Sequence, residues 1–402
     1  MSLKMQQRRR ALCLLFFLPG MGLSSWVTRT PDIRDLIEAS PAQMGMVLFG
    51  LSVGSMLGIL ASGRLVARFG ARSVIAAGAS LLILGLPTVA IGALLGQGVV
   101  VSAGLFCFGA GMGSAEVAMN VEGADVERST GRPFLSQLHG FFSLGTVVGA
   151  SSGIAFTALG IGVPWHLALI CLVAIACVSF AIRALPAATG RQDNVSKQQG
   201  VERAKSLWFD PSLLLIGVLV LAMALSEGAA TDWLPLVMVD GHGFDATSGS
   251  LIFTGFALAM TIGRFAGGWF VLRFGRARVF ASCAVLGALG MGTVIFAENA
   301  ILAGSAAILW GLGTSLAFPL AISAAGDSGA NAAGRVSVVA TMGYVAFLVG
   351  PPLLGFIAEV HGLRGALILP LILVVVAAVL SPSIAERAHR RIEIDPGPPH
   401  AA

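Results

Sequence analysis

The sequence predicts an all-α polytopic membrane protein of 12 transmembrane helices, arranged as two pseudo-symmetric six-helix halves. Three observations lead there. The first is composition: 402 residues that are 56% hydrophobic and 11% charged, with a mean hydropathy of +0.88, have too little charge to cover a soluble globule. Apolar runs of the roughly 20 residues that a helix needs to cross about 30 Å of hydrocarbon recur along most of the chain. The second is a stretch that occurs twice. Gly58 to Arg72 is an apolar, glycine-spaced run ending in Arg68-Phe69-Gly70, and Gly263 to Arg278 repeats the plan around Arg273-Phe274-Gly275. Each copy reads as a helix, a tight basic hairpin and the next helix, used once per half. The third is charge placement. Most of the 25 lysines and arginines fall in segments on one side, as the positive-inside rule requires, and this explains the net charge of +5 better than nucleic-acid binding does.

In chain order, the basic N-terminus (Lys4, Arg8 to Arg10) precedes an apolar run that resembles a signal peptide. With so many spans following, it reads as an uncleaved first helix held inside by that charge. The first span covers 11–30, interrupted near Pro19-Gly20, and a polar outer segment, 29–40, follows. The second covers 42–66, the basic hairpin returns the chain, and the third and fourth cover 73–95 and 98–122. A charged inner loop, Glu122 to Pro133, leads to the fifth and sixth spans at 135–160 and 163–184. Residues 1–185 thus form an N-terminal six-helix bundle. A cytoplasmic linker occupies 186–210, too polar to insert, and its Asn194-Val195-Ser196 sequon faces inward and is incidental. The second bundle, 211–385, places spans at 211–239, 246–272, 278–297, 300–325, 335–358 and 363–384, and a cytoplasmic tail covers 386–402. The halves match further: Trp26 with Trp233, Gly45 with Gly249, Gly109 and Gly111 with Gly311 and Gly313, and Gly131-Arg132 and Gly140 with Gly334-Arg335 and Gly343.

Ionisable groups at bilayer depth cost about 2.5–3.5 kcal/mol each on insertion scales, so each needs a partner or a cavity. Glu227 lies mid-span among small and apolar residues, with no basic residue near it in sequence, and is a candidate to load and release a proton. Glu116 and Asn120 are four apart and share a helix face among small residues that leave room for a solute. A position near enough the inner surface to pair with Arg128 or Arg132 is the competing reading for Glu116. His139 opens the fifth span; its ring suits a proton relay, although a lone histidine near a loop is more often structural. Arg264, the basic residue inside a span, is expected to pair with Asp327 or Glu116 as an inner gate, or to snorkel. Asp232, Trp233 and Arg29 lie toward the outer ends as substrate-rim candidates, with interfacial anchoring the plainer reading for Trp26 and Trp233. Breaks at Pro19-Gly20, Pro235, Pro319 and Gly350-Pro351-Pro352 permit bending or line cavities.

Other chemistry finds little footing. Gly50-Leu51-Ser52-Val53-Gly54 has nucleophile-elbow spacing, but it lies within a membrane helix rather than a strand-to-helix turn. Metalloprotease and phosphate-loop motifs are absent from the sequence, and the five cysteines have no metal-type spacing. No enzyme activity, metal or cofactor is expected.

The two hairpins, six plus six spans and a basic linker resemble the major facilitator superfamily over about residues 8–390. The signature of that family is Gly, three residues, Asp, Arg, one residue, Gly and further basic residues. Here it reads Gly63, Ala67, Arg68, Gly70, Arg72 and again Gly268, Leu272, Arg273, Gly275, Arg276. The resemblance implies an inner gate at these hairpins, and both copies lack the acid of its latch. Gly113 to Asn120 and Gln137 to Gly145 look like the fourth and fifth helices of the fucose-permease-related branch. This implies proton coupling by Glu116 and solute recognition by His139 or Gln137. Trp26 with Arg29, and Glu227-Gly228-Ala229 with Asp232-Trp233, resemble a bacterial inner-membrane branch with no assigned substrate. The expectation is a monomeric, multi-pass inner-membrane protein with both termini cytoplasmic, moving a small polar solute together with protons. The rivals are an efflux antiporter and a transport-inactive sensor. The fifth span keeps glycines at Gly145, Gly149 and Gly153 without the proline usual in family antiporters, which leans against efflux.

Overall fold

The computed structural model describes residues 3–130, 134–191, 207–327 and 332–381. The middle of the expected linker, 192–206, and the tail, 386–402, lie outside them, as does Arg132. The N-terminal half contains α1 (Leu3–Val27), the short α2 (Thr30–Leu36), α3 (Pro41–Phe69), α4 (Ala71–Leu94), α5 (Gly98–Thr130), α6 (Leu135–Ala158) and α7 (Val163–Ala181). The C-terminal half contains α8 (Pro211–Leu236), α9 (Ala246–Phe274), α10 (Arg276–Phe296), α11 (Ala300–Thr314), α12 (Ala317–Asp327), α13 (Ala332–Ala366) and α14 (Ile368–Leu380). Eleven spans among the described residues are long and apolar enough to cross a membrane, and the shorter apolar α14 supplies the twelfth. The end carrying the basic hairpins is termed inner below.

Local chemistry sets the boundaries. Ser40 starts α3 with a capping box to Gln43, ahead of Pro41 in the first turn, where a missing N–H costs nothing. Asp245 caps α9 and Asn299 caps α11 by accepting from the backbone N–H of Ser248 and of Leu302. The doubled hairpin has one backbone solution in both halves. Gly70 and Gly275 sit at φ 82° and 81°, donating to Val66 O and Val271 O. Only glycine enters that region freely, which is why Arg-Phe-Gly recurs.

Asp210 caps α8, accepting from the backbone N–H of Ser212 at 3.0 Å and from its hydroxyl at 2.6 Å, while Arg335 of α13 donates at 2.7 Å. The Ser212 hydroxyl and then Arg335 hold the carboxyl well below the usual carboxylate range. A depressed carboxylate stabilises the fold above its unfolded pKa and loses that contribution as pH falls. Asp210→Ala is therefore expected to cost about 1 kcal/mol at neutral pH. In thermal unfolding, the gap from wild type should narrow below about pH 4.

The packing is glycine-driven, because apolar side chains gain nothing by leaving equally apolar lipid and helices gain mainly from close approach. Gly50, Gly54 and Gly58 of α3 lie against the α5 backbone at Ser102, Phe106 and Ala110, and Gly109 and Gly113 return the contact at Leu51 and Ser55. A Cβ at Gly54 would fall within 2.9 Å of the Phe106 carbonyl carbon. Gly54→Leu is expected to lower stability by about 1–3 kcal/mol or more through overpacking, read as a lower unfolding temperature in detergent.

Two expected breaks turn out differently. α1 runs helically through Pro19, with Gly20 tight against the Phe142 carbonyl of α6. The inner loop expected from Glu122 is helical to Thr130. Glu122 is fully buried there and bonded by Arg8 Nε at 2.7 Å, with Asp125 taking Arg8 Nη2 at 2.7 Å. Pro235 does precede an irregularity, the π-helical turn Val237–Gly241. Span ten is divided into α11 and α12 just ahead of Pro319. Pro351 and Pro352 lie within α13, whose kink falls instead at Gly362.

Candidate functional site

Bonds that join the two halves gather at their outer ends. Arg34 grips Asp240 with both terminal nitrogens, Nη2 to Oδ1 at 2.9 Å and Nη1 to Oδ2. Ser250 Oγ donates to the Thr28 carbonyl at 2.7 Å, and Ala42 N donates to Glu359 at 3.0 Å. Gly45 and Gly355 bring α3 and α13 into backbone contact beside them. Trp26, Leu48, Trp233 and Phe253 belong to one continuous apolar core across the halves, whereas the inner part of the N-terminal half, with Phe16, Ile75 and Met119, packs as a separate cluster. The halves are thus joined at their outer ends, while toward the inner side a cleft of about 450 Å³ lies between α6 and α9.

Five ionisable side chains from five helices are linked, by one ion pair and by electrostatic interaction, beside this cleft, which Gly140 and Phe265 line. Arg264 of α9 donates Nη2 to Glu227 Oε1 of α8 at 2.8 Å and Nε to the Ser315 carbonyl, between α11 and α12, at 3.3 Å. Its side chain is 35% exposed and that of Glu227 17%, so water reaches the pair. Arg264 also interacts electrostatically with Glu116 on α5 and His139 on α6, and Glu116 does so with Tyr344 of α13. The set comprises two carboxylates, one guanidinium, an imidazole and a phenol. Such a set can exchange protons and hydrogen-bond a polar solute.

The arginine therefore pairs with Glu227 rather than with the expected Glu116; the other expected partner, Asp327, has its side chain outside the described ones. Sequence distance hid this, because α8 and α9 meet only in the folded half. Arg128 engages Asp125 at 3.6 Å. His139 stands edge-on to Phe16 at 5.4 Å. Asn120 lies one turn from Glu116 toward the inner end, half-buried. Gln137 accepts from Arg9 Nη2 at 3.1 Å and lines a cavity of about 450 Å³ between α6 and α9, with Ser143, Thr261 and Phe265.

The outer candidates are placed apart from this cluster. Arg29 is buried within its own half, bonded to Thr157, to the Ile161 carbonyl at 2.5 Å and to Asp32 at 3.1 Å. Trp26 and Trp233 are 1% and 2% exposed, so neither is an interfacial anchor: the closed outer ends enclose both. Asp232 is buried beside Trp233. Tyr344, the Ser315 carbonyl, Arg34 and Asp240 were missed in the sequence, where only Pro319 hinted at the freed carbonyl.

At the hairpins, Arg68 lies over the Phe69 ring at 5.1 Å, Arg72 is half-buried, Arg273 is exposed and Arg276 donates to Ser323 Oγ at 3.0 Å. A Cβ on Gly63 or Gly268 would meet open space. Leu272, at the family's acidic position, is 90% exposed. In the N-terminal half the chain after α7 covers the turn instead: Ala71 N donates to the Thr189 carbonyl at 2.8 Å, and Ala187 O lies against Gly70.

Comparison with known proteins agrees with this architecture. The sequence profile described as Major Facilitator Superfamily matches residues 12–344 and 233–397. An uncharacterized MFS-type transporter of Yersinia pestis is 32% identical over 370 residues, covering 91% of this chain and 93% of that protein. The membrane protein MosC of Rhizobium meliloti is 26% identical over 380 residues, covering 92% and 88%. Among solved structures, the nucleoside transporter NupG superposes with a TM-score of 0.78 at 13% identity, covering 94% of this chain and 99% of that one. The E. coli fucose:proton symporter FucP superposes with 0.65 at 19% identity, covering 94% and 98%. With the profile matching nearly the whole length and two six-helix halves around a cleft, this chain belongs to the Major Facilitator Superfamily.

Proposed function

We propose that the protein is a proton-coupled secondary transporter that moves a small polar solute by alternating access, as a monomer in a bacterial inner membrane with both termini cytoplasmic. The six-helix bundles 1–185 and 211–385 rock about the cleft, and 186–210 links them. One observation carries the reading: the water-accessible Arg264–Glu227 pair at 2.8 Å, with Glu116 and His139 of the opposite half as its neighbours. A carboxylate that shares an arginine with a second carboxylate is free to take a proton when the arginine turns to the other. Motion of the halves is what moves Glu116 relative to Arg264. Protonation and access are thereby linked through one cation. Solute hydroxyls would find acceptors at Glu116 and Asn120 and donors at Arg264 and Tyr344.

The similarity to a fucose:proton symporter and to a nucleoside transporter sets the first compounds to try. Purified protein in liposomes, with an imposed inward proton gradient, is tested with labelled fucose, other hexoses and uridine. Accumulation of one of them that collapses with the gradient is the expected result. Equal uptake with and without the gradient would show a uniporter. Absence of flux for every compound, with protein that binds one of them, favours a sensor.

A further inference from the structure

We propose that Pro319 is a positioning residue for Arg264: it frees the Ser315 carbonyl that holds the guanidinium against Glu227. The inference rests on the reading of Arg264 as part of the transport site. In a continuous α-helix the Ser315 carbonyl would accept the N–H of the residue four positions on, which is residue 319. Proline has no N–H to give. Span ten accordingly divides between α11, ending at Thr314, and α12, starting at Ala317. The vacant carbonyl is taken up by Arg264 Nε at 3.3 Å, while Nη2 of the same group reaches Glu227 at 2.8 Å.

Because the guanidinium is a rigid planar fork, fixing one nitrogen aims the others. A lysine in its place has a single nitrogen and could not be aimed in this way. The helix carrying Arg264 is shaped to meet the break. Gly263 lies against the Ser315 side chain, where a Cβ would come within 2.7 Å of Ser315 Cβ, and Gly267 lies against Leu316, where a Cβ would come within 2.8 Å of a methyl carbon. Two glycines four apart on α9 thus admit both residues of the break. Proline, carbonyl and glycines form one arrangement that ends at Arg264. Through it, a swing of α12 relative to α11 is felt directly at the ion pair.

The test reads Arg264 itself and needs no substrate. Intact protein is treated with phenylglyoxal, modification of Arg264 is quantified by peptide mass spectrometry, and the exposed Arg68 serves as internal reference. Pro319→Ala restores the N–H, lets the turn close and draws the carbonyl back onto the axis of span ten. Two results are expected together: slow hydrogen exchange at the new amide of residue 319, and labelling of Arg264 about fivefold faster than in wild type, the worth of one ordinary hydrogen bond. Gly263→Ala pushes Ser315 aside without adding a donor and should speed labelling similarly; it decides the matter if Pro319→Ala does not yield monodisperse protein. Unchanged Arg264 labelling in the folded variants overturns the proposal. So does a residue-319 amide that exchanges as fast as open chain. Since labelling does not depend on flux, these outcomes are separable from failure of the transport reading, which would appear as wild-type accumulation in Glu227 and Glu116 variants.

Discussion

Glu227→Gln is expected to abolish accumulation while leaving solute exchange partly intact. Glutamine keeps the shape and the hydrogen bonding of a protonated glutamate but cannot give the proton up, so the step that ties proton release to reorientation is lost. A one-unit pH gradient stores about 1.4 kcal/mol per proton, enough for about a tenfold concentration ratio with one coupled proton. In liposomes the ratio should fall from about ten to about one for whichever compound wild type concentrates. Counterflow, which needs reorientation but no net proton movement, should persist. Glu116→Gln should behave alike, since Glu116 is the other carboxylate beside Arg264. If both variants concentrate solute as wild type does, coupling lies elsewhere.

The second large effect is on stability. Arg264→Gln leaves Glu227 as an uncompensated carboxylate beside a desolvated helix face. Breaking a fully buried pair costs about 3–5 kcal/mol. Here the 35% and 17% exposure of the two side chains admits water, which reduces the expected loss to about 1–3 kcal/mol. The double variant Glu227→Gln/Arg264→Gln removes both charges and should recover most of that loss, because two neutral amides leave no lone charge. Thermal unfolding of the three variants in one detergent measures the cycle. A double variant whose loss equals the sum of the two single losses would mean that the pair contributes nothing to holding α8 against α9.

Much of the architecture was readable because lipid makes stringent demands. Backbone polar groups must be satisfied within each span, so spans announce themselves as long apolar runs. The twin hairpins were readable because a turn at φ near 82° demands glycine at Gly70 and Gly275. The uninterrupted helical course of α1 through Pro19 was not, since neighbouring helices override a local breaker. Glu122 was assigned to a loop for the same kind of reason: its counter-charge, Arg8, lies more than a hundred residues away, and pairing alone allows it to be buried at the end of α5.

The candidate site divides along the same line. By itself the sequence determined the membrane fold, its doubling, and the intramembrane groups worth attention, Glu116, Glu227 and Arg264, because the cost of a charge in hydrocarbon marks each one wherever it stands. Which of them meet, only the tertiary structure decided. Side-chain pairing acts over a few ångströms, and the distance between α5, α8, α9 and the break in span ten is set by helix packing rather than by chain order. It placed Arg264 on Glu227, brought the Ser315 carbonyl to the same guanidinium, and enclosed Arg29, Trp26 and Trp233 within the closed outer ends, away from the cleft.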